Sequence, residues 1–342
     1  MLPMALKGLI SGSHESNAGI SIFHAVCACS AFNLYELGGG VSEKDRALFV
    51  KHDHLAITHL RHNLDRVDDY VDQTFAMAIM AFFAVEAISG TPRRWRAHVS
   101  GGLAYLNRLY SRGTDREILK AFHQHMVSLA IICGCDVPPD LKTFLDETEG
   151  LELSFPYYGA SGSFLRAHDQ MNSFLASKTV VDSRELDSFE LQLYLNFPAA
   201  VQETPGSAQS ASASAIIHHM AKAFYYASLI FFQRCIRQTS IDTVQKLVES
   251  GIGELEAIEK LSKGTAGSMV LWPPLILAAE CATPELQSRM RGWFRAKHKL
   301  GFRNVVVLEE LASNLWSQRR SSQSDVSWQN LIIEERFDVF RL

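Results

Sequence analysis

Long apolar runs are missing from this 342-residue chain. The longest, FAMAIMAFFAV (75–85), falls well short of the roughly 20 residues a helix needs to cross a bilayer. The opening MLPMALKGLISGSHESN has a lysine inside its short apolar run and no small-residue cleavage site, so no secretory signal is read there. These two absences predict a soluble intracellular chain. Excess positive charge is missing as well: 33 Lys and Arg stand against 37 Asp and Glu, a formal net charge of −4. A chain that grips nucleic acid by itself needs clustered cations, so that class is excluded. The basic run RMRGWFRAKHKLGFR (289–303) alternates with apolar residues at helical spacing and reads as a solvated helix face. Cysteine is sparse and wrongly spaced for a metal. Cys27/Cys29 and Cys133/Cys135 are C-x-C pairs, which point their thiols about 200° apart around a helix, and Cys235 and Cys281 stand alone. Free buried thiols in a reducing compartment are expected. There is no G-x-S-x-G elbow, Walker loop, dinucleotide fingerprint or H-E-x-x-H, and YYGASGS (157–163) is a turn signal only.

Helical periodicity fills what remains, and strand alternation is hard to find. In TPRRWRAHVSGGLAYLNRLYSRG (91–113), Thr91 can cap, Pro92 fits the first helical position, and Gly113 supplies a stop. Trp95, Val99, Leu103, Leu106 and Tyr110 form one apolar stripe. Thr283-Pro284-Glu285 repeats the device, with a carboxylate near the positive helix end. Further helices are predicted over roughly 17–36, 43–65, 71–88, 115–134, 161–177, 183–196, 213–237, 240–261, 274–282, 284–299 and 302–317. The low-complexity QETPGSAQSASASA (202–215) reads as a loop. The expectation is one all-α domain of stacked antiparallel helices over 1–342, in halves of roughly 1–201 and 215–342 joined by a mobile loop at 202–214.

Three stretches bear on chemistry. WPPLILAAECA (272–282) starts on two prolines and is apolar on every face except for Glu280, so that carboxylate is expected to be buried. A buried carboxylate needs a cation or several donors. Arg289, Arg94 and Arg96 are candidate partners, and a structural ion pair is the expected role. DDYVD places Asp68, Asp69 and Asp72 in the D-D-x-x-D spacing by which all-α isoprenoid (terpene) synthases hold magnesium and a diphosphate. The second metal motif such an enzyme needs is poor here, because Lys246 interrupts Asp242–Glu249. The same acids also suit a helix start. In HDHLAITHLRH, His52, His54, His59 and His62 make a metal site geometrically possible, but a half-exposed helix of neutral imidazoles needs no metal. No cofactor and no metal is assigned.

The order of segments carries one further reading. IFHAVCACSAFNLYELGG, then FAMAIMAFFAVEAISGTPRRWRAHVSGGLAYLNRL, then WPPLILAAEC, RMRGWF, VVVLEELASNLW and WQNLIIEERFDVFRL follow one another from about Leu2 to Leu342. This series resembles the fungal-specific transcription factor domain, the helical regulatory region of fungal binuclear zinc cluster regulators, and within it the acriflavine-sensitivity and sterol-responsive subgroup. The resemblance implies a non-catalytic all-α receptor-like domain in the nucleus, or in the cytoplasm with nuclear entry. It further implies a homodimer or a heterodimer with a related regulator, contact with the transcriptional machinery, and response to a small apolar ligand. No membrane contact is expected. Trp95, Trp272, Glu280 and Arg289 occupy the resembling positions as structural anchors. Phe82, Phe83, Met269 and Trp272 are candidates, by residue type, for lining a pocket between helices. None of the six cysteines falls in zinc-cluster spacing, so a regulatory region without its own DNA-reading module is expected.

Overall fold

Thirteen α-helices occur among the residues that the computed structural model describes, 17–64, 73–113, 119–143, 145, 161–177, 181–198, 208–265, 271–322 and 325–341. They are α1 (Asn17–Leu37), α2 (Glu43–Leu64), α3 (Gln73–Ser89), α4 (Arg94–Ser111), α5 (Lys120–Ile132), α6 (Gly162–Ala176) and α7 (Ser183–Leu195). Then follow α8 (Ala208–Phe231), α9 (Gln245–Ser262), α10 (Trp272–Ala279), α11 (Pro284–His298), α12 (Arg303–Ser322) and α13 (Trp328–Ile332). No strand occurs among the described residues, and the fold is all-α. Two compact units divide the chain. One gathers residues 1–127, 298–307 and 334–340; the other gathers 128–297, 308–333 and 341–342.

In the first unit, α1 and α2 run antiparallel: Ser21 Oγ donates to the Ala56 carbonyl at 2.8 Å, while Phe32 meets Phe49 nearer the connecting turn. Gly39 and Gly40 make that turn with positive φ, which glycine adopts without steric cost. Alanines 18, 25, 28 and 31 are buried on α1 and let its neighbours approach closely. Length and composition alone would let α1 cross a membrane. In the fold its small face packs instead with Ala56 of α2 and with Ala81, Phe82 and Val85 of α3. The last unit-one segments close back on this layer. Asn33 Nδ2 donates to the Leu300 carbonyl at 2.6 Å, and Trp95 Nε1 to the Asp338 carbonyl at 3.1 Å.

Helix α4 starts later than its Thr91-Pro92 signal predicts. Arg93 takes the cap position with φ 61°, and its amide donates to the Asp338 carbonyl at 2.7 Å. A long-range bond thus replaces the local cap, and Thr91 bonds Ser89 instead at 2.8 Å. Further along α4 the predicted stripe faces inward, with Trp95, Val99, Leu103 and Leu106 all buried.

In the second unit, α10 is central: all eight of its residues are buried. Trp272 lies against Phe164, His168, Phe224 and Phe231, with the Phe224 ring nearly parallel at 6.0 Å. Before α9, the last turn of the α8 rod widens to a π-turn at Phe232–Ile236, closed by the Arg237 amide on the Phe232 carbonyl at 3.0 Å. Gly251 brings α9 against α10, because a Cβ there would sit inside the Leu277 methyl groups.

Two glycines on one helix therefore have opposite expectations. Gly251→Ala should lower stability by about 1–3 kcal/mol, since the fully buried Leu277 must move. Gly253→Ala meets nothing within 4 Å and should raise stability by about 0.4–1 kcal/mol. Urea unfolding of both variants checks the sign difference.

Candidate functional site

Helices α8, α9, α10 and α11 leave a small, partly open recess between them. Its lining is apolar: Met220, Ala223 and Phe224 from α8, Leu255 and Ile258 from α9, Pro273 and Pro274 from α10, and Trp293 from α11. The prolines have a reason to be here. At the second and third positions of α10 their missing amides break no helical hydrogen bond, and their rings replace polar backbone with apolar wall. One ionisable group, Glu259, also lines the recess. It pairs with Lys297, whose side chain is 0% exposed and whose ammonium lies 5.6 Å from the Trp293 ring centre.

Glu280 ends α10 and organises a second constellation in the same unit. Its carboxylate, 2% exposed, accepts from Arg234 Nε at 2.8 Å and from Arg319 Nη2 at 3.4 Å. Arg234 also reaches Asp325 and the Thr239 carbonyl. Burial works against the charge on Arg234, but Glu280 and Asp325 more than offset it, so its pKa is raised. For Arg319 burial prevails and the pKa is lowered. The carbonyls that a buried helix end leaves without partners are all answered nearby. Trp316 Nε1 donates to Ala278 at 2.8 Å, Arg319 to Ala279, and Gln245 Nε2 to Glu280 at 2.9 Å. Gln287 takes the Cys281 carbonyl at 3.2 Å.

The first unit has its own buried carboxylate, Glu86, 0% exposed. It accepts from Arg94 Nε at 2.6 Å and lies 3.1 Å from His98 Nε2, while Arg94 forks onto Asp53 at 2.6 and 3.1 Å. Burial alone would lower the Arg94 pKa, and the two carboxylates turn that into a rise. Beside it, imidazoles line the α1–α2 interface. His24 Nδ1 and His52 Nδ1 stand 2.9 Å apart, His59 stacks on His24, and His59 Nδ1 meets Asn17 Oδ1 at 3.1 Å. Burial, then the neighbouring imidazoles and Lys51, lowers the His24 pKa to about 4; burial first also lowers His52 and His59. Among the described residues no group of three or more His, Cys, Asp or Glu could hold a metal.

These geometries redistribute the residues singled out from sequence. Phe82 and Phe83 are buried in the first unit against His98, and Phe83 also against Phe340. Trp272 is buried in the second unit, behind the two prolines of the recess rather than in its lining. Met269, Asp68, Asp69 and Asp72 lie outside the described residues. Glu280 is buried and paired, but its expected partners are corrected. Arg289 forks onto Glu256 at 2.9 and 2.7 Å, Arg94 belongs to Glu86 and Asp53, and Arg96 joins Asp338 at 2.7 Å. Reading the sequence missed Glu259, Lys297, Arg234 and Arg319. Lys297 at least carried a signal: it lies four residues after Trp293, on the face of α11 turned toward the core. The six cysteines are free thiols, with Cys29 and Cys235 pushed up to about 12, by burial first.

Glu280→Ala would leave Arg234 buried without its carboxylate and should cost about 3–5 kcal/mol. Arg289→Ala breaks a pair whose glutamate is 46% exposed and should cost under about 1 kcal/mol. Urea unfolding that shows equal losses would remove the distinction between strut and surface pair. The imidazoles give a pH prediction. Their folded pKa values lie below the ordinary 6.5, so their contribution to stability is complete above that pH and is lost as pH falls toward about 4. A His24→Gln/His52→Gln variant should therefore show a shallower stability loss across this window than the parent. His125 and His168, driven to about 4 by burial, retain part of the slope. An unchanged slope would place the proton uptake elsewhere.

A comparison with family models matches residues 1–141 and 166–340 to the fungal specific transcription factor domain. Neither a curated protein nor a solved structure shows significant similarity to the chain. The matched segments include α1 to α5, most of α6, and α7 to α13, and so every residue of the recess and both buried carboxylates. By that match over most of its length, the chain belongs to the fungal-specific transcription factor domain family.

Proposed function

We propose that this chain is the regulatory part of a fungal transcription factor, non-catalytic and responsive to a small apolar ligand. The observation that carries this reading is the family match over residues 1–141 and 166–340. The apolar lining of the recess among α8 to α11 supports this reading, and the Glu280 hub ties neighbouring helices of that unit to the helix that forms the recess wall. Ligand occupancy would then favour the arrangement of α8, α9 and α11 that fits it, by the differential affinity of the two states. In this reading the protein works in the nucleus, as a homodimer or beside a related regulator, in contact with the transcriptional machinery. The six cysteines lack zinc-cluster spacing, so contact with DNA is assigned to something other than this sequence.

A reporter assay tests it. The chain tethered to a heterologous DNA-binding module should change transcription of the cognate reporter several-fold relative to the module alone, and Glu280→Ala should abolish the change. Magnesium-dependent turnover of a prenyl diphosphate by the purified chain, lost in Asp69→Asn, would overturn the non-catalytic reading.

A further inference from the structure

One inward-turned side chain, Arg319, ties down the last turn of α12. Of residues 317–322, every one but Arg319 is exposed. Its guanidinium donates through Nε to the Val326 carbonyl at 2.9 Å, through Nη1 to the Ala279 carbonyl, and through Nη2 to Glu280 at 3.4 Å. Trp316, one turn earlier, is buried and holds its part of the helix by a bond to the Ala278 carbonyl. Helix ends fray, so the turn beyond Trp316 can open when Arg319 lets go while the rest of α12 stays in place.

The segment freed by that opening reads Arg319-Arg320-Ser321-Ser322. Guanidiniums two and three residues before a hydroxyl are the charge pattern that basophilic serine kinases select, because acidic subsites beside their catalytic centre pair with them along an extended chain. The pattern occurs once: the other Arg-Arg pair, Arg93-Arg94, is followed by Trp95 and Arg96. Ser322 is exposed, and its Oγ donates to the Gln318 carbonyl at 2.7 Å within the same turn. We propose that Ser322 is a phosphorylation site for an arginine-directed kinase, reached when Arg319 leaves the Glu280 hub. A bond forms from Ser322 Oγ to the γ-phosphorus of a nucleoside triphosphate. The bridging bond to the nucleoside diphosphate breaks, and the hydroxyl proton passes to the base of the kinase. The product then resists closure of the turn. It sets about two negative charges on the negative end of α12, and Asp325 adds like charge three residues on. Its oxygens also compete with Glu280 for Arg319, so the carbonyl at Ala279 loses its donor and the end of α10 loosens. Neither step requires a ligand in the recess.

The test incubates the full chain with magnesium-ATP and the catalytic subunit of cyclic-AMP-dependent protein kinase, and maps phosphate by peptide mass spectrometry. One phosphate on Ser322 is expected, and none at that peptide in Ser322→Ala. Arg320→Ala removes an exposed guanidinium without touching the hub, and should slow incorporation about tenfold with an unchanged urea midpoint. Glu280→Gln keeps the side-chain shape but weakens the grip on Arg319, and should speed incorporation about threefold or more. Should that variant lose helix content, hydrogen exchange over 317–322 decides the same point: phosphate on the parent should quicken it about tenfold. Phosphate on other residues with Ser322 left bare, or incorporation indifferent to Arg320→Ala, overturns the site. A folded Glu280→Gln modified at the parent rate, or exchange unchanged by the phosphate, overturns the coupling to the hub. Phosphate on Ser322 in Glu280→Gln but never in the parent would mean that the native turn stays shut, and counts against the site as well.

Discussion

A helix with no polar face must still end, and the carbonyls at its end must still find donors. That constraint shapes the second unit. Helix α10 is buried on all sides, so water cannot answer its last turn. Side chains from α9, α11 and α12 do so instead: Gln245, Gln287, Trp316 and Arg319. Bringing an arginine to that place creates a charge in an apolar interior, and Glu280 is what makes it tolerable. Arg234 arrives on the π-turn after α8, where the one-residue widening changes the direction its side chain leaves the rod. The arrangement links the ends of four helices to one short helix whose opposite end, Pro273-Pro274, forms the recess wall.

The sequence made much of this readable, and the reasons differ from place to place. The all-apolar composition of 272–282 was enough to place α10 inside and to make Glu280 a buried strut. Its partners were out of reach because a carboxylate's sequence neighbours say nothing about which distant helix crosses it. Arg289 was the near choice in sequence; Arg234 and Arg319, 46 and 39 residues away, are the near ones in space. The cap of α4 was misjudged for a related reason. Thr91-Pro92 is a sound local signal, but a carbonyl from Asp338 outcompeted it. The short helix α13 and the π-turn carried no periodicity long enough to detect. Glu259 was missed because its surroundings in sequence, GELEAIEK, look like an ordinary charged helix face.

The two carboxylates buried deepest are held differently from the one in the recess. Glu280 is held by two arginines, and Glu86 by Arg94 and His98, through directed hydrogen bonds. Glu259 is held instead by the Lys297 ammonium, a compact charge without the planar fork of a guanidinium.

The first unit draws on both ends of the chain. Arg93 and Trp95 reach Asp338, Asn304 reaches the Phe340 carbonyl, and Asn33 reaches Leu300 and Gly301. On the ribosome α1 to α4 therefore emerge without the segments that finish their packing. They wait, part-built, through the synthesis of nearly everything that follows, with α1 and α3 showing apolar surface meanwhile. A stop codon ahead of residue 334 would thus damage the packing of helices synthesised long before it.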